Sequence, residues 1–453
     1  MSSFHRRSIA AVVLAGLVAG GAAGQILGGG GPVGGISLPP VSLPVGQVPV
    51  VGPVLGPVLG QPVTRAQAEE AVRPTLDSIA GLPPALAEAG PATLSELRRI
   101  RLRELIRANS RELENDGQGQ PVRRGVVIVA DPDPSSLQLA MRAGFRVVRD
   151  EQAAELGLRS VTLAVPRGDN AREALRKLMR IAPALQADFD HIYEPAGGSL
   201  APLIGSALAY TTAIGNGRRI GMIDGGVAAH PALAGAAIEQ AAFTGKAEAT
   251  GHGTAVASLI VGRQGPFSGA APGASLFVAD VYGGNQAAGS ATAIVRALAW
   301  MVRKQVPVVN VSLAGPQNRL VLRAVNALRS RGITIVAAVG NDGPAAPPQY
   351  PASYPGVIAV TGVDVRGRAL PEAGRSAHLD FAAPGADMAA ASPGRGYAKV
   401  RGTSFAAPLA ASRLALSGSI AALAAEARPG RGKVGRGIVC ATCRTAPKAV
   451  RAK

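Results

Sequence analysis

The sequence predicts an α/β fold, a parallel β-sheet covered by helices on both faces, preceded by a smaller α+β unit. From about residue 200 short apolar runs alternate with stretches of helical spacing, as strands joined by crossover helices do. Between residues 126 and 193 the order reads β-α-β-β-α-β, a compact unit of its own. The 453 residues exceed one typical domain, and 47% hydrophobic residues are enough for a sizeable core. Two folded units with tails are therefore expected.

Residues 1–24 begin with His5, Arg6 and Arg7, continue through an apolar stretch from Ile9 to Ala19, and close on small residues from Gly20 to Gly24. That is the pattern of a secretory signal peptide. A membrane anchor is the alternative, but spanning a bilayer takes about 20 apolar residues and this stretch is shorter. Ser8-Ile9-Ala10 fits a twin-arginine signal poorly. The expected location is outside the cytoplasm: secreted, periplasmic or associated with the cell envelope.

Residues 25–64 read as a Gly/Pro/Val-rich linker, since Gly28 to Val63 carries no charge and repeats Gly-Pro-Val-Leu at 52–55 and 56–59. Residues 65–119 turn helical. Thr93-Leu94-Ser95-Glu96 fits a capping box, and Leu94, Leu97, Ile100, Leu105 and Ile106 form a stripe opposite several arginines. The stripe is expected to pack on the next unit; contact with a membrane surface is the alternative.

Asn115 to Gln120 is polar and marks a boundary. Over 120–197 the expected elements are a strand at Val126 to Ala130, a helix from Ser136, and strands at Phe145 to Arg149 and Val161 to Val165. A helix from Ala171 to about Leu185 and a strand from Asp188 to Tyr193 complete a ferredoxin-like order. Over 198–427 apolar or helical runs fall at 219–223, 255–261, 276–281, 294–303, 306–312, 320–330, 334–339 and 357–363. In such sheets active residues sit beyond the carboxyl ends of strands, which is where Asp224, Asn341 and the segment after Ser312 fall.

Net charge is +18, and residues 428–453 hold eight Lys or Arg and no acid. This basic tail is expected to be solvated and disordered, or to contact acidic surfaces. No aromatic residue interleaves its charges, so no specific nucleic-acid site is expected. Cys440 and Cys443 are the only cysteines; the pair can close a small disulfide, and is too small for a zinc site.

Three motifs carry the chemistry. Gly402-Thr403-Ser404-Phe405-Ala406-Ala407-Pro408 sets a serine on a glycine turn before a helix-forming run. Gly251-His252-Gly253-Thr254 supplies a histidine, and Ile223-Asp224-Gly225-Gly226 ends an apolar run on an aspartate. A serine hydroxyl needs a neighbouring base to attack a carbonyl, a histidine titrating near 6.5 suits that role, and a carboxylate fixes its tautomer. The chain order Asp, His, Ser differs from that of the chymotrypsin and α/β-hydrolase arrangements.

From about Ile220 to Ser412 the chain resembles the subtilisin-like serine proteases. Beyond the three motifs, His230-Pro231-Ala232-Leu233, Ala271-Pro272-Gly273-Ala274, Val309-Asn310-Val311-Ser312-Leu313, Tyr350-Pro351-Ala352-Ser353-Tyr354-Pro355 and Ala383-Pro384-Gly385 stand in the family's order. The resemblance implies catalytic Asp224, His252 and Ser404. It also implies an oxyanion hole from Asn341 with the Ser404 backbone N–H, and substrate contacts at Ser312, Leu313, Ala314, Gly315 and Gly340. With Gln349 these are small, apolar or neutral, so a hydrophobic residue before the cut is expected.

The resemblance further implies that the 120–197 unit is a pro-domain, an intramolecular inhibitor laying its last strand in the cleft, with maturation near 194–200. Protein or peptide substrates are the expected partners. No cofactor is expected, and calcium sites carried by loops in relatives are not assumed. The family usually has Ser or Thr after the aspartate; this chain has Gly225, which removes a hydroxyl from the carboxylate's surroundings. A catalytically silent envelope-binding protein and an esterase using the same triad are the alternative functions. His5, His191, His230, His378, Asp280 and Asp342 are given no catalytic role.

Overall fold

A computed structural model of the protein describes residues 91–196, 202–206, 215–394 and 396–452. The expected signal peptide, the linker and the first part of the helical segment lie outside these residues, as does 197–200.

The described chain opens with helix α1 (Pro91–Ala108). Its Leu94, Ile100, Leu102 and Leu105 are buried, so the apolar stripe packs against protein. Two expectations are corrected. Thr93 has helical backbone inside α1 and does not stand at a cap position. Arg98 is 7% exposed, so the arginines do not all face away from the apolar stripe.

The small unit follows as β1 (Val126–Ala130), α2 (Pro134–Arg142), β2 (Arg146–Ala153), β3 (Leu158–Ala164), α3 (Ala171–Ile181) and β4 (Gln186–Asp188). The four strands form one antiparallel sheet in the order β2-β3-β1-β4. Asn170 and Glu173 cap α3 reciprocally, satisfying otherwise orphaned amide donors. One face of the sheet buries Val127, Val129, Val161 and Leu163 with Ala174 and Leu178 of α3. The other face sets Ile128, Ala130 and Leu158 into the core of the large unit. Arg296 to Glu151 at 3.2 Å and Arg303 to Glu155 at 2.7 Å border that contact. The final strand is shorter than expected, because the chain leaves the sheet after Asp188 and enters another pairing as β5 (Glu194–Pro195).

The large unit contains β6 (Arg219–Asp224), β7 (Ala237–Ala242), α4 (Gly251–Val261), β8 (Ser275–Asp280), α5 (Ala291–Arg303) and β9 (Val308–Val311). There follow β10 (Leu313–Ala314), α6 (Arg319–Arg329), β11 (Thr334–Ala338), β12 (Ile358–Val363), β13 (Phe381–Pro384) and α7 (Thr403–Ser417). Seven strands form a parallel sheet in the order β7-β8-β6-β9-β11-β12-β13. Successive side chains leave a strand on opposite faces. Accordingly Ile220, Met222, Val308, Val336 and Ala338 pack with α4 and α7, while Ile223, Val309, Val311, Ile335 and Ala337 pack with α5 and α6. Both faces are covered, which is why these strands read as continuous apolar runs. The expected run at 255–261 belongs to a helix, fully buried against the sheet. The two edge strands were not anticipated; Ala237–Ala242, with Glu239 and Gln240, has weak strand propensity and is held by its neighbour β8.

The basic tail is ordered, contrary to expectation. Ala382 bridges the tail in parallel across Ile438, its N–H donating to Gly437 C=O at 2.9 Å and its C=O accepting from Val439 N–H at 2.8 Å. The tail thereby covers the β13 edge, burying Ile438, Val439 and Cys440 while Arg428, Arg431, Lys433 and Arg436 stay exposed. Burial of its few apolar side chains, and a disulfide between Cys440 and Cys443, offset the ordering entropy that its charge pattern alone would not. No helix among the described residues is long and apolar enough to cross a membrane.

Candidate active site

Asp224 is the last residue of the interior strand β6, and both it and His252 are fully buried. His252 is the second residue of α4. Thr250 caps that helix, its Oγ1 accepting the Gly253 N–H at 3.0 Å. Gly253 is required by close approach, since a Cβ there would lie 2.3 Å from the Gly225 carbonyl oxygen. Strand end and helix start are thus pressed together, and the two side chains meet.

His252 Nδ1 lies 2.9 Å from Asp224 Oδ1 and 3.0 Å from Oδ2. A carboxylate only accepts, so Nδ1 carries the proton and Nε2 is left as an acceptor. Nε2 stands 3.0 Å from Ser404 Oγ, which donates to it. The Asp224 carboxylate also accepts the Gly225 N–H at 2.7 Å. The space a side chain at Gly225 would need is taken by Thr250, whose Oγ1 is 2.4 Å and Cγ2 2.7 Å from a Cβ built there. The glycine therefore answers to Thr250, a residue the sequence reading did not single out; its place just before the histidine motif, as a helix-capping type, was the available signal.

Ser404 is the second residue of α7. Gly402 caps the helix with φ 140°, a conformation that favours glycine. The Ser404 carbonyl accepts from Ser312 Oγ at 2.9 Å, and Ser312 Oγ in turn accepts from Asn310 Nδ2 at 2.9 Å. Asn341 follows β11. Its Oδ1 accepts the Thr403 N–H at 3.0 Å, which fixes the amide so that Nδ2 points away. That Nδ2 is buried without a partner. An unsatisfied buried donor costs about 1–3 kcal/mol, and this one belongs to an amide bonded to Thr403, next to Ser404, where a free donor is suited to receive an anionic oxygen.

The remaining residues expected at the site also converge. Leu313 and Ala314, as β10, pair antiparallel with Pro195 and Glu194 of β5. Gly315 exchanges backbone bonds with Tyr350, at 3.0 and 2.9 Å. Gly340, at φ 87°, faces Gln349 and Ala314: a Cβ on it would stand 3.2 Å from Gln349 Cγ and 3.5 Å from Ala314 Cβ. His230 caps a short helical turn, accepting the Ala232 N–H at 3.0 Å, and Asp280 accepts the backbone N–H groups of Tyr282 and Gly283 at 2.9 Å. Asp280 pairs beside Asp224 across adjacent strands, but neither His230 nor Asp280 hydrogen-bonds to the side chains of Asp224, His252 or Ser404.

Asp342, given no catalytic role above, is held in ion pairs from α1. Arg98 Nε lies 2.9 Å and Arg101 Nη2 2.8 Å from its carboxylate. Burial alone would push that carboxyl up; the guanidiniums of Arg101 and Arg98 outweigh it and hold it below the ordinary range. Among the described residues no group of three or more His, Cys, Asp or Glu side chains is placed to hold a metal ion.

Comparison with known proteins places the chain's fold and sequence among the subtilases. A sequence model of the subtilase family matches residues 215–427. Subtilisin Savinase of Lederbergia lenta is 35% identical over 207 residues, which is 45% of this chain and 76% of that one. The alkaline protease of Alkalihalobacillus alcalophilus is also 35% identical, over 45% of this chain and 54% of its own length. The major intracellular serine protease of Bacillus subtilis (strain 168) is 33% identical over 45% of this chain and 68% of its own length. Among solved structures, fervidolysin from Fervidobacterium pennivorans, a keratinolytic enzyme related to subtilisin, is similar with a TM-score of 0.57. At 21% identity, over 71% of this chain and 61% of that one, it shares the fold.

Proposed function

The chain belongs to the subtilase family, the serine endopeptidases related to subtilisin, and from that premise we propose that it is exported as a zymogen and matures by cutting itself. The single observation that carries the catalytic reading is the unbroken hydrogen-bond chain from Asp224 through His252 to Ser404. Ser404 Oγ attacks the peptide carbonyl while His252 Nε2 takes its proton, and Asp224 stabilises the imidazolium that results. The anionic oxygen of the tetrahedral intermediate is received by Asn341 Nδ2 and the Ser404 N–H. His252 then protonates the leaving amine. Water cleaves the acyl ester by the same steps in reverse order of roles.

Export rests on the signal-like residues 1–24, and the 120–197 unit acts as pro-domain and intramolecular inhibitor. Support for the latter comes from β5, which runs along β10 beside Ser312. Small, apolar and neutral groups at Leu313, Ala314, Gly340 and Gln349 favour a hydrophobic over a charged residue before the cut in protein substrates. The test is expression of wild type and Ser404→Ala with intact mass, N-terminal sequencing and labelling by a serine-directed phosphonate. Wild type is expected to shorten and take the label, and Ser404→Ala to do neither. Two full-length, unlabelled proteins would sink the reading in favour of a silent binding protein.

A further inference from the structure

Helix α1 lies upstream of the unit read above as the pro-domain, yet it reaches the active site. Arg101 forks over two carboxylates from distant parts of the chain: Nε and Nη2 stand 3.2 and 3.3 Å from Glu194, and Nη2 is 2.8 Å from Asp342. Arg98 adds a second bond to Asp342 at 2.9 Å and one to Gln120 at 2.9 Å. Asp342 directly follows Asn341. Leu94 packs on Gly343, where a Cβ would come within 2.9 Å of its Cδ1. One helix face thus grips the loop carrying the oxyanion-hole amide and, through the same guanidinium, the segment in the cleft.

The register of that segment is defined on both sides. Tyr193 N–H donates to Gly289 C=O at 2.8 Å, and Tyr193 Oη donates to Pro316 C=O at 2.9 Å. Pro195 faces Leu313 and Glu194 faces Ala314 across the β5–β10 pair. Ala196 N–H donates to Ser312 C=O at 2.9 Å, and Ser312 Oγ donates to the carbonyl of Ser404 itself. Ala196 is 4% exposed. Tyr193, Glu194, Pro195 and Ala196 each have a fixed backbone station, and Ala196 is linked through Ser312 to the carbonyl of Ser404.

We infer that helix α1 selects the bond at which this zymogen is processed: Arg101, clamped on Asp342, holds Glu194 in register so that the carbonyl of Ala196 is the one attacked. The inference rests on the self-processing reading above. Ser404 Oγ bonds to the Ala196 carbonyl carbon and its proton passes to His252. The C–N bond to Gly197 breaks, and the proton goes to the Gly197 amine. Water then releases the Ala196 carboxylate and restores Ser404. Arg101 and Glu194 touch neither the nucleophile nor the reacting carbonyl; they are positioning residues.

The full-length chain is the material for the test. Wild type is expected to yield a mature protein beginning at Gly197. Arg101→Gln and Glu194→Gln are each expected to slow trimming about tenfold, and the double variant to be no slower than either single one, because both remove the same contact. Arg101→Lys keeps the charge and is expected to trim at the wild-type bond within about threefold of the wild-type rate. Melting curves of the same variants in a Ser404→Ala background report folding separately. A Ser404-dependent start elsewhere overturns this inference and leaves the proposed function standing; so does multiplicative slowing in the double variant, or trimming of Arg101→Gln at the wild-type rate. Absence of both trimming and phosphonate labelling in wild type overturns the two together.

Discussion

At the scale of single residues the site is organised by what each side chain is denied as much as by what it is given. Asp224 has no proton to donate, so His252 has one possible tautomer toward Ser404. Asn341 spends its carbonyl oxygen on Thr403 and keeps its amide free in a buried position. Asn341→Ala is therefore expected to lower kcat about 100- to 1000-fold with KM little changed, the loss found on removing the corresponding donor in a subtilisin. Steady-state kinetics on a peptide substrate decide it; an equal rise in KM at constant kcat would refute a role confined to the transition state. The motifs made Asp224, His252, Ser404 and Asn341 legible because each is embedded in glycines that the close backbone approaches demand. Arg98 and Arg101 were not legible as site residues: on a helix read by periodicity alone an arginine counts as solvent-facing, and the acid that buries it is more than 200 positions away.

At the scale of elements the catalytic groups are placed by termini. A strand end delivers Asp224 and two helix starts deliver His252 and Ser404. Thr250 ties the first of those helix starts down, with one hydroxyl accepting from Gly253 and filling the space beside Gly225. Thr250→Val keeps the shape and removes the cap. Losing an N-cap costs about 1 kcal/mol. Small displacements of a catalytic group are expensive, about 100-fold for 1 Å, so kcat is expected to fall about tenfold. Melting temperature and kcat measured together check this: a stability loss with unchanged kcat would mean that α4 is positioned by packing alone. Elements with strong apolar periodicity, such as β9, β11 and α6, matched their expected places to within about two residues. The edge strand β7 did not, because its pairing with β8 and not its own composition makes it a strand.

At the scale of the whole molecule the four-stranded unit docks on α5 and α6 of the seven-stranded unit, and α1 joins the loop at Asp342 to the segment at Glu194. The basic C-terminal segment closes the exposed edge at β13, protecting a row of backbone groups that would otherwise be open to pairing. Its disulfide joins cysteines three positions apart. Closing so short a loop is worth about 2 kcal/mol on the chain-entropy account. At about 2–4 °C per kcal/mol for a unit of this size, the Cys440→Ser/Cys443→Ser protein is expected to melt about 4–8 °C lower. Thermal unfolding under oxidising and reducing conditions checks this; identical midpoints would show that packing of Ile438 and Val439 alone holds the segment.

The sequence by itself determined the alternating α/β core, the β-α-β-β-α-β order of the small unit and the motifs that bring Asp224, His252 and Ser404 into one hydrogen-bond chain with Asn341 bonded next to it. Those depend on local periodicity and on short motifs whose glycines report backbone constraints. Only the tertiary structure decided that the basic tail packs as a strap, that α1 turns two arginines inward onto Asp342, and that Glu194 to Ala196 lies along Leu313 and Ala314. Charge patterning predicts solvation for a segment considered alone. It carries no information about a distant carboxylate or an open sheet edge whose burial repays the ordering of the chain.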